Sequence, residues 1–226
     1  MYDNKKEPQK EETQKEEDDF VFPFSTCETP KKDGVAQPYS VLANMLSIMV
    51  IMYFLFQTKN IFPFLLILSL LAFECMHTFS HIIHLPGYIQ GIIVHFIAYI
   101  INLFYLLTLY YYTKHAPSIS FLIFLVCLIL IDIWFFTSFS FVYYFSSSIF
   151  IFFSILMYYY SYLPKNKQSY IIIILLLGLS IVGLFYNEIY NCKNMLSMFP
   201  GIPFHALLEL NGTVIFYFLC KFFYQM

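Results

Sequence analysis

The chain has 226 residues, of which 60% are hydrophobic, 22% aromatic and only 12% charged, and its mean hydropathy is +0.69. A soluble domain of this size has too little interior to hide that much apolar surface, so the composition excludes a water-soluble globular protein and points to a polytopic membrane protein. The formal net charge of −2 decides little, because the charges are segregated along the chain.

Residues 1–25 are expected to form a disordered tail of mixed charge, which opens as MYDNKKEPQKEETQKEEDD. No apolar core follows a short basic start, so no cleavable signal peptide is expected, and the first span serves as the targeting signal. A bilayer-spanning helix takes roughly 20 mostly apolar residues. Seven stretches qualify, at about 41–57, 61–85, 88–112, 118–138, 140–162, 169–189 and 203–224. The breaks between them carry the turn or polar signals QTKN, LPGY, TKHAPS, LPKNKQS and NCKNMLSMFPGIP. The break near Thr137–Ser140 is the weakest of the set. The expected fold is an all-α seven-transmembrane helix bundle over residues 26–226.

Seven spans put the termini on opposite sides. Lys59, Lys114, Lys165, Lys167 and Lys221 fall opposite the N-terminal tail, against Lys31, Lys32 and Lys193 on its side. The positive-inside rule then places the N-terminus in the lumen and the C-terminus in the cytosol, as in an endoplasmic reticulum or Golgi-type membrane. Cys27 and Cys192 read as loop residues on the lumenal side and are expected to pair, whereas Cys75, Cys127 and Cys220 read as unpaired residues in or near spans.

Ionisable side chains inside a bilayer are costly, and they pair, bind an ion or do chemistry. The segment FECMHTFSHIIH, residues 73–84, ends the second span with Glu74, His77, Ser80, His81 and His84. At 100° per residue, its glutamate and three histidines share an arc of about 80°. Parity brings His84 and Ser80, His95 early in span three, and His205 and Glu209 early in span seven to one depth in one leaflet. His205 and Glu209 are an i, i+4 pair, a spacing that lets two side chains share a metal. Two histidines and a carboxylate with an open position form a common catalytic zinc set. Interhelical polar clusters also simply hold membrane helices together, and the spacing alone leaves that alternative standing. Asp132, Trp134, Asn187 and Glu188 are expected to be interfacial or structural, and His115 to be a solvated loop residue.

These motifs resemble the alkaline ceramidase family, within the superfamily of seven-span hydrolases that includes the adiponectin-receptor-like proteins. TCETPKKDGVAQPYSVLANMLS, residues 26–47, is similar to that family's Cys-Glu pair and polar entry into span one. Ser80-x-x-x-His84 is similar to its Ser-x-x-x-His, His95 stands where the family has Asp, and His205-x-x-x-Glu209 stands where it has His-x-x-x-His. The resemblance implies an integral-membrane, zinc-dependent hydrolase of lipid amides acting on ceramide-like membrane lipids. It assigns His84, His205 and Glu209 to the metal, Ser80 to the oxyanion or the attacking water, and His95 to proton transfer in place of the Asp. Glu28 matches the Cys-Glu position, but the neighbouring calcium ligands of the family are mostly Ser, Thr and Pro here, and no calcium is expected. Glu74, His77 and His81 lie outside the family pattern. They read as groups orienting a ligand, as a second metal site or as plain interhelical hydrogen bonding. The competing readings are a proton or ion transporter and a non-enzymatic receptor with a structural metal or polar cluster. Polar residues gathered at one end favour a site over a pathway, and span seven has no central Lys to hold retinal.

Overall fold

The computed structural model describes residues 34–83, 87–137, 141–198, 200 and 203–226, so the expected tail lies outside the described residues. The described chain is all-α. Its helices are α1 (Pro38–Leu55), α2 (Ile61–Ile82), α3 (Gly87–Thr113), α4 (Ile119–Thr137), α5 (Phe141–Tyr159), α6 (Lys165–Met198) and α7 (Phe204–Phe223), with one 3₁₀ turn at Tyr160–Tyr162. Helix limits follow local chemistry. Proline opens the first turn of α1, where its missing N–H has no helical partner to lose. Lys114, at a φ of 58°, closes α3 in the left-handed conformation typical of a residue just past a helix end.

Among the described residues, six helices are long and apolar enough to cross a membrane, against the seven expected. In the fifth, the described apolar stretch is the shorter Ser147–Tyr162. The multi-pass membrane character stands. A second correction concerns α6, which continues to Met198 through NCKNMLSM, a stretch that reads as a loop. No Gly or Pro interrupts residues 191–198, and asparagines at and before their start bond along the helix: Asn187 Nδ2 donates to Gly183 O at 2.9 Å, and Asn191 Nδ2 to Asn187 Oδ1 at 3.0 Å. Cys192 therefore sits on a helix.

α1 packs between α2 and α7, α3 contacts α2 and α5, α6 lies on α7, and α4 pairs with α5. The bundle is layered along its length. At the end where α1, α3, α5 and α7 finish, Tyr105, Leu109, Leu156, Tyr159 and Phe222 have no exposure. Tyr105 stacks on Phe152 at 4.6 Å and meets Phe223 edge-on at 5.2 Å. The buried Lys167 ammonium donates to Phe222 O at 2.5 Å, in the last turn of α7, where the helix dipole favours a cation. The middle layer holds a cavity of about 270 Å³ bounded by α2, α3, α5, α6 and α7. Its lining is almost wholly apolar, and the Phe153 ring lies so close to Gly178 that a Cβ there would overlap it. The third layer, at the opposite end, is polar.

Asp132 ties the lateral helices together from α4. Its buried carboxylate accepts from Tyr99 of α3 at 2.9 Å, from Ser148 of α5 at 3.0 Å, and from Ser147. These bonds link α3, α4 and α5. Replacing Asp132 with Ala leaves those hydroxyls without their acceptor. Asp132→Ala is expected to lose about 1–2 kcal/mol of stability, read as a lowered Tm in detergent. Ser154→Ala is the control, because Ser154 donates only within its own exposed helix turn, and it should stay within about 0.5 kcal/mol of wild type.

Candidate metal centre

The polar layer is built from the last two turns of α2 and the first two turns of α7. Glu74, His77 and His81 share one face of α2, and His205 and Glu209 share one face of α7. Both sets point at one atom, Glu209 Oε1. His205 Nε2 lies 3.2 Å from it, His77 Nε2 3.4 Å and His81 Nε2 3.5 Å. The His77 and His81 Nε2 atoms are themselves 3.3 Å apart.

Elementary geometry gives these separations meaning. Four ligands at 2.0–2.1 Å from a tetrahedral ion are about 3.3–3.4 Å from one another. His77, His81 and Glu209 form a complete triangle of such edges, and His205 adds a fourth edge to the same carboxylate oxygen. The residues present therefore fit a small divalent cation. Among the described residues, Glu209 Oε1 and His205 Nε2 are buried without a hydrogen-bond partner. Buried polar atoms in that state are costly, and a cation between them would satisfy both.

Each imidazole also faces an oxygen through its other nitrogen. His205 Nδ1 meets Glu188 Oε1 of α6 at 2.7 Å, His81 Nδ1 meets Gln37 Oε1 at 2.5 Å, and His77 Nδ1 lies 3.6 Å from Glu74 Oε2. A proton held on Nδ1 by such an acceptor leaves the Nε2 lone pair facing inward, the arrangement a metal requires. Gln37 is itself fixed, because its backbone N–H donates to His81 O at 3.0 Å and that of Ala36 to Ile82 O at 3.2 Å. The chain entering α1 is thus laid against the end of α2. His81 is wholly buried, while His77 keeps 12% exposure and forms the open side of the cluster.

His205 and Glu209 meet as the sequence suggests. His84, the expected third ligand, lies outside the described residues. Among the described residues, His77 and His81 join Glu209, and their own i, i+4 spacing is the signal that could have placed them there. Ser80 is buried, and its hydroxyl donates to His77 O at 2.5 Å. His95 lies against Asp132, with Nε2 at 3.8 Å from Oδ2, and between the rings of Tyr99 and Phe136 at 4.5 and 4.6 Å. Glu188, expected to be interfacial or structural, belongs to the cluster. Its distance from His205 in sequence hides the contact that the packing of α6 on α7 makes. His115 is half-buried and stacks on Tyr162 at 3.7 Å, where a solvated loop residue was expected. Cys192 is disulfide-bonded, its expected partner Cys27 lies outside the described residues, and Cys75, Cys127 and Cys220 are free.

No family model matches the chain, and neither does any curated protein or solved structure.

Removing an oxygen that orients a ligand imidazole commonly weakens metal binding about 10–100-fold. Glu188→Ala is expected to do so for zinc, measured by competition with a chelator, and His81→Ala to weaken it further. Wild-type affinity in Glu188→Ala would show that this carboxylate does not serve the cluster.

Proposed function

We propose that the chain is an integral-membrane, zinc-dependent hydrolase of lipid amide bonds, with ceramide-like lipids as its first substrates to test. The observation that carries this reading is the triangle of His77, His81 and one buried Glu209 oxygen, at the spacing of ligands around one ion, with His205 beside the same oxygen. His77, His81 and Glu209 would hold the ion, with His205 beside the same Glu209 oxygen. Zinc in such a place lowers the pKa of water to about 7 and polarises a carbonyl. Glu74, whose Oε1 has no hydrogen-bond partner among the described residues, is the carboxylate placed to take up a proton.

The cavity supports a lipid substrate. Its wall includes Phe73, whose ring lies 5.9 Å from that of His77, the cluster member with residual exposure. An acyl chain lying in the cavity would bring its polar end to the imidazole on the open side. A transport pathway fits less well. Beyond the cavity the bundle closes on the rings of Tyr105, Tyr159, Phe222 and Phe223, all 0–1% exposed. In this reading α5 also crosses the bilayer, making seven spans. The Lys distribution then turns the cluster toward the lumen of an endoplasmic reticulum or Golgi-type membrane.

The test is fatty-acid release from long-chain ceramide by purified, zinc-loaded protein in detergent or nanodiscs. Wild type is expected to release it. Glu209→Ala should lose both zinc and turnover, the latter by at least about 100-fold, since the ion supplies the nucleophile. Zinc-loaded protein that cleaves neither amide nor ester lipids would remove the hydrolase reading and leave a receptor with a structural metal.

A further inference from the structure

α1 carries a polar stripe that a membrane helix has no intrinsic reason to bury. Gln37, Ser40, Asn44 and Ser47 have 0–1% exposure. At 100° per residue they share an arc of about 80°. The two ends of the stripe are accounted for. Gln37 holds His81. Ser47 bonds Thr213 of α7 at 2.7 Å and faces the Glu74 carboxylate. Asn44, between them, is different: among the described residues neither its Nδ2 nor its Oδ1 has a hydrogen-bond partner. A fully buried carboxamide left so is costly, more so in a bilayer than in a soluble protein.

Its position follows from these contacts. α1 runs antiparallel to α2, with Gln37 at His81 and Ser47 at Glu74. A step back of three residues from Ser47 reaches Asn44, and a step forward of three from Glu74 reaches His77. Both steps rise about 4.5 Å, so Asn44 stands level with His77. On α7, Thr213 also donates to Ala43 O at 3.4 Å and to Glu209 O at 3.2 Å, which sets Glu209 beside the same turn of α1. The groups converging on this level are Glu74, His77 and His81 from α2 and His205 and Glu209 from α7, and two of their oxygens, Glu74 Oε1 and Glu209 Oε1, also have no hydrogen-bond partner among the described residues.

We propose that Asn44 is a positioning residue for a water bound at the cluster: its carboxamide both donates to and accepts from that oxygen and so fixes its orientation. Water is the ligand chemistry that fits, because the unpaired set around the level of His77 includes a donor, Asn44 Nδ2, and acceptors, Asn44 Oδ1 and Glu74 Oε1. This rests on the metal reading above, but not on the identity of the lipid.

The test loads full-length protein with copper(II) as a paramagnetic probe and measures deuterium modulation by pulsed electron paramagnetic resonance in deuterated water. Wild type is expected to show strong modulation from one ordered water. Asn44→Leu should bind copper and zinc within about threefold of wild type, a change of under 1 kcal/mol, while losing at least half of that modulation. Asn44→Ser, which keeps a donor and an acceptor, should recover part of it, and it serves alone if the leucine variant does not fold. Wild-type modulation in Asn44→Leu, or full loss in Asn44→Ser with the metal still bound, overturns the role of Asn44 and leaves the metal reading intact. Failure of the wild-type protein to bind either metal overturns both.

Discussion

A carboxylate buried in a bilayer must be neutralised on the spot, and everything at the polar end of this bundle answers that requirement. Glu209 sits on a membrane helix with almost no exposure, and three imidazoles from two helices surround one of its oxygens. Neither solvent nor lipid can supply the missing charge balance at that depth. Imidazoles at 3.2–3.5 Å are too distant to make short hydrogen bonds, yet those of His77 and His81 stand at ligand spacing both from Glu209 and from each other.

The requirement spreads outward through hydrogen bonds to elements far apart in sequence. Glu188 brings in α6, Gln37 brings in the entry to α1, and Glu74 lies one turn back along α2. The helix contacts are those needed to deliver these groups, with α1 wedged between α2 and α7 and α6 laid on α7. Asp132 is the counterpart in the other half of the bundle. It is a second buried carboxylate, but hydroxyls satisfy it, so it fastens helices without any need of an ion. One anion is met chiefly by hydroxyl donors, the other by imidazoles.

The helical, membrane-embedded class was legible from composition, because no other arrangement hides so much apolar surface. The polar end was legible from parity, since helices entering from the same side must place their matching ends together. His205 and Glu209 were legible because i, i+4 spacing on one helix is a local property. The partners on α2 were harder to choose. Glu74, His77 and His81 share one face, and only the rotation of α2 against α7 selects which of them reach Glu209. Glu188 and Gln37 carry no local signal, because each is defined by a neighbour on another element. The overextended end of α6 was missed for a plainer reason. Asn and Lys read as loop formers, yet with no Gly or Pro to stop the helix, hydrogen bonding between side chains one turn apart carries it on.

The cavity wall at Gly178 separates two properties that enzymes usually have to tune together. The Phe153 ring rests where any side chain at 178 would be, so the bore of the cavity is set by a residue contributing a single hydrogen atom. A methyl group there would drive the ring inward and narrow the bore, without touching an imidazole or carboxylate of the polar layer. Conversely, changes among those groups leave the bore as it is. The bore of the cavity and the make-up of the polar layer are thus written on different turns of the bundle, so one can be altered while the other is kept.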